Sequence, residues 1–186
     1  RDRLTPEQLS SIKVVTGDGA KWITECVNEY TPGCARCVDP FHVVEWAMTA
    51  LDEVRKDIWH DAYSEYKQVK KDNPRGKGRP KKDAPGLAIV KAAKAKADEI
   101  KGSAYALGKA PEHLSEKQQL RVNLIASQNP RLYRAYLLKE QLRLLLKLTN
   151  VDEAEDELKR WLWKASHSRI PAFKELYPVS YTHLTL

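Results

Sequence analysis

Ile12-Lys-Val-Val-Thr16 runs into Gly17-Asp18-Gly19, and further on Cys34-Ala-Arg-Cys-Val38 runs into Asp39. The first run is rich in β-branched residues, which suit a pleated surface, and the glycines mark a tight turn, so it reads as a buried strand. Between the two runs, Ala20 to Tyr30 places Trp22, Ile23, Cys26 and Val27 at helical spacing, and Thr31-Pro32-Gly33 breaks the pattern. Two strands separated by one helix form a β-α-β unit, whose strands lie parallel and are joined by a right-handed crossover. Parallel pairing brings Asp18 and Asp39 to one C-terminal edge, where α/β sheets build their sites.

Upstream, Thr5-Pro6-Glu7-Gln8 predicts a helix start, with Thr5 capping, Pro6 at the first helical position and Gln8 reaching back. Downstream of Asp39 the strand signals stop. Val43 to about Val69 reads as a long amphipathic helix with Ala47, Leu51, Val54 and Ile58 on one stripe. Leu87–Ile100 reads as an Ala/Lys helix. Ser115-Glu-Lys-Gln118 is a second capping box, opening a helix to about Ser127. Asn129-Pro130 caps a helix to about Leu148, and Asp152 opens one to about Ser166. Leu132, Ala135, Leu138, Leu142, Leu145, Leu158, Trp161 and Leu162 are assigned to the core. Tyr133, Tyr136 and Trp163 could stack on bases, but packing is the expectation. The fold class is therefore a two-stranded parallel α/β fragment followed by a mostly helical array, mainly α overall.

The formal net charge is +7, from Lys+Arg 32 against Asp+Glu 25. That balance favours polyanions such as nucleic acid. The charge is concentrated: Lys70, Lys71, Arg75, Lys77, Arg79, Lys81 and Lys82 lie in a Pro/Gly/Lys-rich linker over 70–86, with Gly78-Arg79-Pro80 at its centre. Such a segment is either a solvated loop or a DNA-binding strap that lays arginine along a narrow minor groove. No apolar run approaches the roughly 20 residues of a membrane span. Three cysteines do not suggest a disulfide scaffold, so a cytoplasmic setting is expected. The chain begins at Arg1 rather than Met, and Pro178-Val-Ser-Tyr-Thr-His-Leu-Thr-Leu186 shows no period, so the reading expects an internal piece with a non-native tail over 178–186.

Three clusters could carry chemistry. Gly17-Asp18-Gly19 fits an ordinary turn, or a carboxylate with room for a divalent cation to approach. At Asp39-Pro40-Phe41-His42, Asp39 can cap the next helix, with His42 one turn in and facing back over the sheet edge. Cys34-Ala-Arg-Cys37, with Cys26 and His42 near in sequence, raises zinc, but a structural site needs four ligands, usually from two such pairs, and the two cysteines fall on opposite faces of a strand. Core and loop thiols are the better reading.

Taken together, Val14-Val-Thr-Gly-Asp-Gly-Ala-Lys-Trp-Ile23 and Cys37-Val-Asp-Pro-Phe-His-Val-Val44 resemble the ISL-three group of insertion-sequence transposases. Lys101-Gly-Ser-Ala-Tyr105, Leu114-Ser-Glu-Lys-Gln118, Asn129 to Glu140 and Trp161 to Leu176 agree in order. The resemblance implies a ribonuclease-H-like core over 1–44, interrupted by a helical insertion over 45–177. It further implies an Asp-Asp-Glu enzyme that cleaves and joins DNA with two Mg²⁺ (or Mn²⁺) ions. Asp18 matches the second acid and a metal ligand; Asp39 and His42 match a supporting Asp-x-x-His motif. The implied partners are the element's terminal inverted repeats, target DNA and further copies of the protein, in the bacterial nucleoid. A non-catalytic DNA-binding helical module is the alternative.

Overall fold

The structure, a computed structural model, describes residues 4–74 and 85–176. It opens with α1 (Pro6–Ser11), β1 (Val14–Gly17), α2 (Lys21–Tyr30) and β2 (Ala35–Val38). It continues with α3 (Pro40–Asp72), α4 (Pro85–Gly102), α5 (Ala104–Gly108), a 3₁₀ turn (Pro111–His113), α6 (Glu116–Gln128), α7 (Pro130–Leu145) and α8 (Val151–Ser166). A last helical stretch covers 171–176.

The expected β-α-β unit is present. The two strands pair in parallel, with Val14 opposite Ala35 and Gly17 opposite Val38. The ladder closes at both ends, where the Ala35 N–H donates to the Lys13 carbonyl and the Asp39 N–H to the Gly17 carbonyl, each at 2.8 Å. The α1 capping box forms as expected: the Thr5 N–H donates to Gln8 Oε1 at 2.8 Å and the Gln8 N–H to Thr5 Oγ1 at 3.3 Å. At the start of α6 the Ser115 N–H donates to Gln118 Oε1 at 2.9 Å.

The chain divides into two compact units. The first takes residues up to Met48 and from Leu138 onward; the second is Thr49–Leu137. The end of α7 and all of α8 fall in the same unit as the strands. Within the first unit, Leu142, Trp161, Ala165, Ile170 and Phe173 are almost wholly buried, and Val27, Val38, Val43 and Ala47 are buried with them. The Trp161 indole N–H donates to the Leu138 carbonyl at 2.8 Å, tying α8 to α7. After α8, Arg169 takes a left-handed φ of 60°. Ser168 Oγ donates to the Ala165 carbonyl at 2.7 Å and accepts from the Ile170 N–H at 3.1 Å, fixing the corner that turns Ile170 and Phe173 inward.

The second unit buries Leu51, Val54, Ala97, Ile100, Leu107, Val122, Ile125, Leu132 and Ala135. Arg121 donates to the Gly102 carbonyl at 2.7 Å, satisfying a terminal acceptor of α4. Every residue assigned to the core from helical period, from Leu132 to Leu162, is buried.

Three expectations fail. The first strand is not buried: Val14 is 53% exposed and Thr16 is exposed, because β1 has only β2 beside it among the described residues. Trp22 is 64% exposed, so of the four apolar residues at helical spacing in α2 only Val27 is buried. Trp163 is also surface, 63% exposed, and stacks on His167 with centroids 4.6 Å apart. Helix α8 begins one residue before Asp152, and its cap is Asn150, whose side chain accepts from the Glu153 N–H at 3.1 Å. Asn150→Ala is expected to destabilise the fold by about 1 kcal/mol, read from a denaturation midpoint.

Candidate active site at the sheet edge

The pairing of Gly17 with Val38 sets the geometry: one residue later, Asp18 and Asp39 leave the same C-terminal edge side by side. Each carboxylate first satisfies its own backbone. Asp18 Oδ1 accepts from the Ala20 N–H at 2.8 Å, and Asp39 Oδ1 accepts from the Phe41 N–H at 2.8 Å, capping α3 as the sequence suggested. Among the described residues, Oδ2 of each has no protein partner. Asp18 is exposed and Asp39 half-buried, so those oxygens can be reached from solvent.

His42 lies one turn into α3, but its contacts are with its own helix. Its Nδ1 stands 3.3 Å from Glu45 Oε2, and its ring meets Phe41 edge-on with centroids 5.7 Å apart. Its charged partner is Glu45, in the next turn of α3.

Two residues that sequence reasoning did not single out hold the Asp18 turn. Arg36, in the middle of β2, donates from one guanidinium nitrogen to the Asp18 carbonyl and from the other to the Cys37 carbonyl, clamping both strand ends. Among the described residues its buried Nε has no hydrogen-bond partner. Trp46, in the second turn of α3, packs against Gly19 so closely that a Cβ there would stand 2.6 Å from Trp46 Cζ2. The glycine after Asp18 thus serves packing. Strand alternation gives the side on which Arg36 emerges but not the reach of its guanidinium, and nothing local ties Trp46 to a turn so far upstream.

The remaining candidates are more scattered. Cys34 Sγ donates weakly to the Ala35 carbonyl at 3.4 Å, Cys26 is exposed, and all three thiols are free. Among the described residues no group of three or more His, Cys, Asp or Glu side chains could hold a metal ion. Of the basic segment, Lys70 and Lys71 form the last turn of α3 and are exposed, whereas Arg75, Lys77, Arg79, Lys81 and Lys82 lie outside the described residues, as does the tail over 178–186. A cleft of about 520 Å³ lies at the opposite, N-terminal ends of the strands, lined by Leu9, Ile12, Lys13, Tyr30 and Pro32 among others, and so is not part of this edge.

Comparison with known proteins shows the family of the chain. A family model described as a transposase matches residues 1–184, and the chain belongs to that family, DDE_Tnp_ISL3. It is 42% identical over 176 residues to the transposase for insertion sequence element IS1557 of Mycobacterium tuberculosis, both in strain CDC 1551 / Oshkosh and in strain ATCC 25618 / H37Rv. That match covers 94% of this chain and 38% of each relative, so the chain spans well under half their length. No solved structure matches it. The resemblance read from the sequence blocks is thereby confirmed. Among the described residues no helix is long and apolar enough to cross a membrane.

Proposed function

We propose that this chain is the part of an insertion-sequence transposase that carries one metal-ligating carboxylate, Asp18, on a ribonuclease-H-like core, with Asp39 and His42 supporting it. The observation that carries the reading is the strand register, which sets Asp18 beside Asp39 at the C-terminal edge of parallel strands, in a chain of a transposase family. The residues fit a hard divalent cation such as Mg²⁺ or Mn²⁺: two carboxylates with solvent-reachable oxygens are the donor type it prefers. They do not complete a site, which accords with a family enzyme whose other carboxylates come from elsewhere in a longer protein. Two bound ions would supply Lewis-acid activation of the attacking and leaving oxygens during DNA strand cleavage and joining.

The chain's own contribution is positional. Arg36 holds the backbone of Asp18, the Ala20 N–H fixes one carboxylate oxygen, and the other is left for a ligand. Asp39 anchors the start of α3 at the same edge. The substrates of the whole protein would be the terminal inverted repeats of the element and the target DNA, handled by a homo-oligomer.

The test is paramagnetic. Titrating Mn²⁺ into the amide-labelled chain is expected to broaden signals around residues 17–20 and 39, and Asp18→Asn is expected to abolish that broadening. Equal broadening in both proteins, or none at saturating Mn²⁺, would sink the assignment. Lacking the full set of carboxylates, the chain alone is expected not to nick supercoiled DNA with Mg²⁺; nicking that disappears in Asp18→Ala would overturn that expectation.

A further inference from the structure

On α3 and α4 of the second unit, aromatic rings flanked by lysines lie on one surface. Trp59 and Tyr63, a turn apart on α3, stack with centroids 5.3 Å apart and planes 20° from parallel. Tyr66 follows at 5.7 Å from Tyr63. Lys67 Nζ stands 4.9 Å over the Tyr63 ring, and Lys101 Nζ, from the last turn of α4, stands 5.8 Å over Trp59. The sequence of groups is cation, ring, ring, cation.

This row is not core. The inward residue of the same stretch is Ala62, 5% exposed, whereas Tyr63 is 36% exposed and Trp59 and Tyr66 are half-buried. Two nearby acids are held in ion pairs: Lys96 holds Glu65 at 2.8 Å and Lys94 holds Asp98 at 2.7 Å. Among the described residues neither Lys67 nor Lys101 has a carboxylate partner. Exposed Lys70 and Lys71 extend the positive charge along α3.

We propose that this face binds single-stranded DNA, with bases stacking on the Tyr63 and Trp59 rings and phosphates taken by Lys67 and Lys101. An ammonium over a ring is a weak, displaceable occupant. An unpaired base covers the ring with a larger flat surface, and the released lysine, on its flexible stem, can reach the adjoining phosphate. Duplex bases already have both faces stacked and cannot make this exchange, while charge alone attracts duplex and single strand alike. The surface therefore discriminates by strandedness, which the basic linker cannot do through charge. It uses neither Asp18 nor a metal, so it stands or falls apart from the assignment of that carboxylate.

The experiment is fluorescence anisotropy of labelled oligo-dT and of a duplex of equal length with the whole chain in EDTA. Replacing Trp59 and Tyr63 together by leucine, which keeps apolar bulk and helix propensity, is expected to weaken oligo-dT binding roughly tenfold, with duplex binding unchanged. An unchanged oligo-dT affinity, or an equal loss for both DNAs in a variant with wild-type circular dichroism, overturns the proposal. Should the leucine variant misfold, the surface variant K67Q/K101Q decides: its salt slope for oligo-dT is expected to fall by roughly 1.4, two phosphates' worth, and an unchanged slope overturns the proposal.

Discussion

Replacing Glu140 by alanine is expected to destabilise the first unit by about 3–5 kcal/mol. Glu140 and its neighbour Lys139 are 5% and 1% exposed, in a helix whose other inward positions include Leu138, Leu142 and Leu145. One carboxylate oxygen of Glu140 meets the Lys139 ammonium, and the other accepts from Arg143 Nε at 2.9 Å. Truncation takes the carboxylate from between two cations and leaves the buried ammonium with its desolvation cost uncompensated by that charge. The packing loss of a Glu side chain is a smaller matter. The two contributions separate in K139M/E140L, which removes both buried charges at similar volume and is expected to recover most of the lost stability. Denaturation midpoints of the wild type and the two variants measure this; a double variant as unstable as E140A would show that the position needs this ion pair for its shape rather than for charge balance.

Lys139 also marks where sequence reading stops. A 3.6-residue period found the apolar face of α7 and α8, and every residue assigned to it from Leu132 to Leu162 is buried, because an aliphatic stripe can only be accommodated against other apolar surface. The same period gives no warning of a lysine placed inside, since that depends on a carboxylate one residue on and an arginine a turn away. Trp163 fails in the reverse direction: packing was its expectation, but burial is decided by what packs across from a residue. Helix α5 escaped notice because Ala104–Gly108 is too short to show a period. At the sheet edge, the two aspartates were legible because strand, turn glycine and helix start are local signals, and parallel pairing then fixes their juxtaposition. The clamp from Arg36 and the close approach of Trp46 were not, being tertiary contacts made by residue types that carry no motif.

Those two contacts make Gly19 the position where stability and site geometry are coupled. Gly19→Ala is expected to cost about 1–3 kcal/mol, as overpacking does, and to weaken Mn²⁺-induced broadening at the Asp18 turn. Its added Cβ would lie 2.6 Å from Trp46 Cζ2 and 2.8 Å from Cη2, so either the indole or the turn must shift. The indole side belongs to α3, whose neighbouring positions Val43 and Ala47 are both buried. The turn side is held through the Asp18 carbonyl by Arg36. Since the glycine does not have a positive φ, the conflict is one of space, and removing the obstacle should relieve it. Trp46→Leu in the Gly19→Ala background is therefore expected to cost less than the sum of the single changes, by about 0.5–3 kcal/mol of coupling. Gly33 supplies the contrast: at φ 95° with nothing within 4 Å, its alanine variant suffers backbone strain of about 1–2 kcal/mol that no neighbour can relieve. Strictly additive costs for Gly19→Ala and Trp46→Leu would mean that the turn is set by its own backbone, and that Trp46 has no part in placing Asp18.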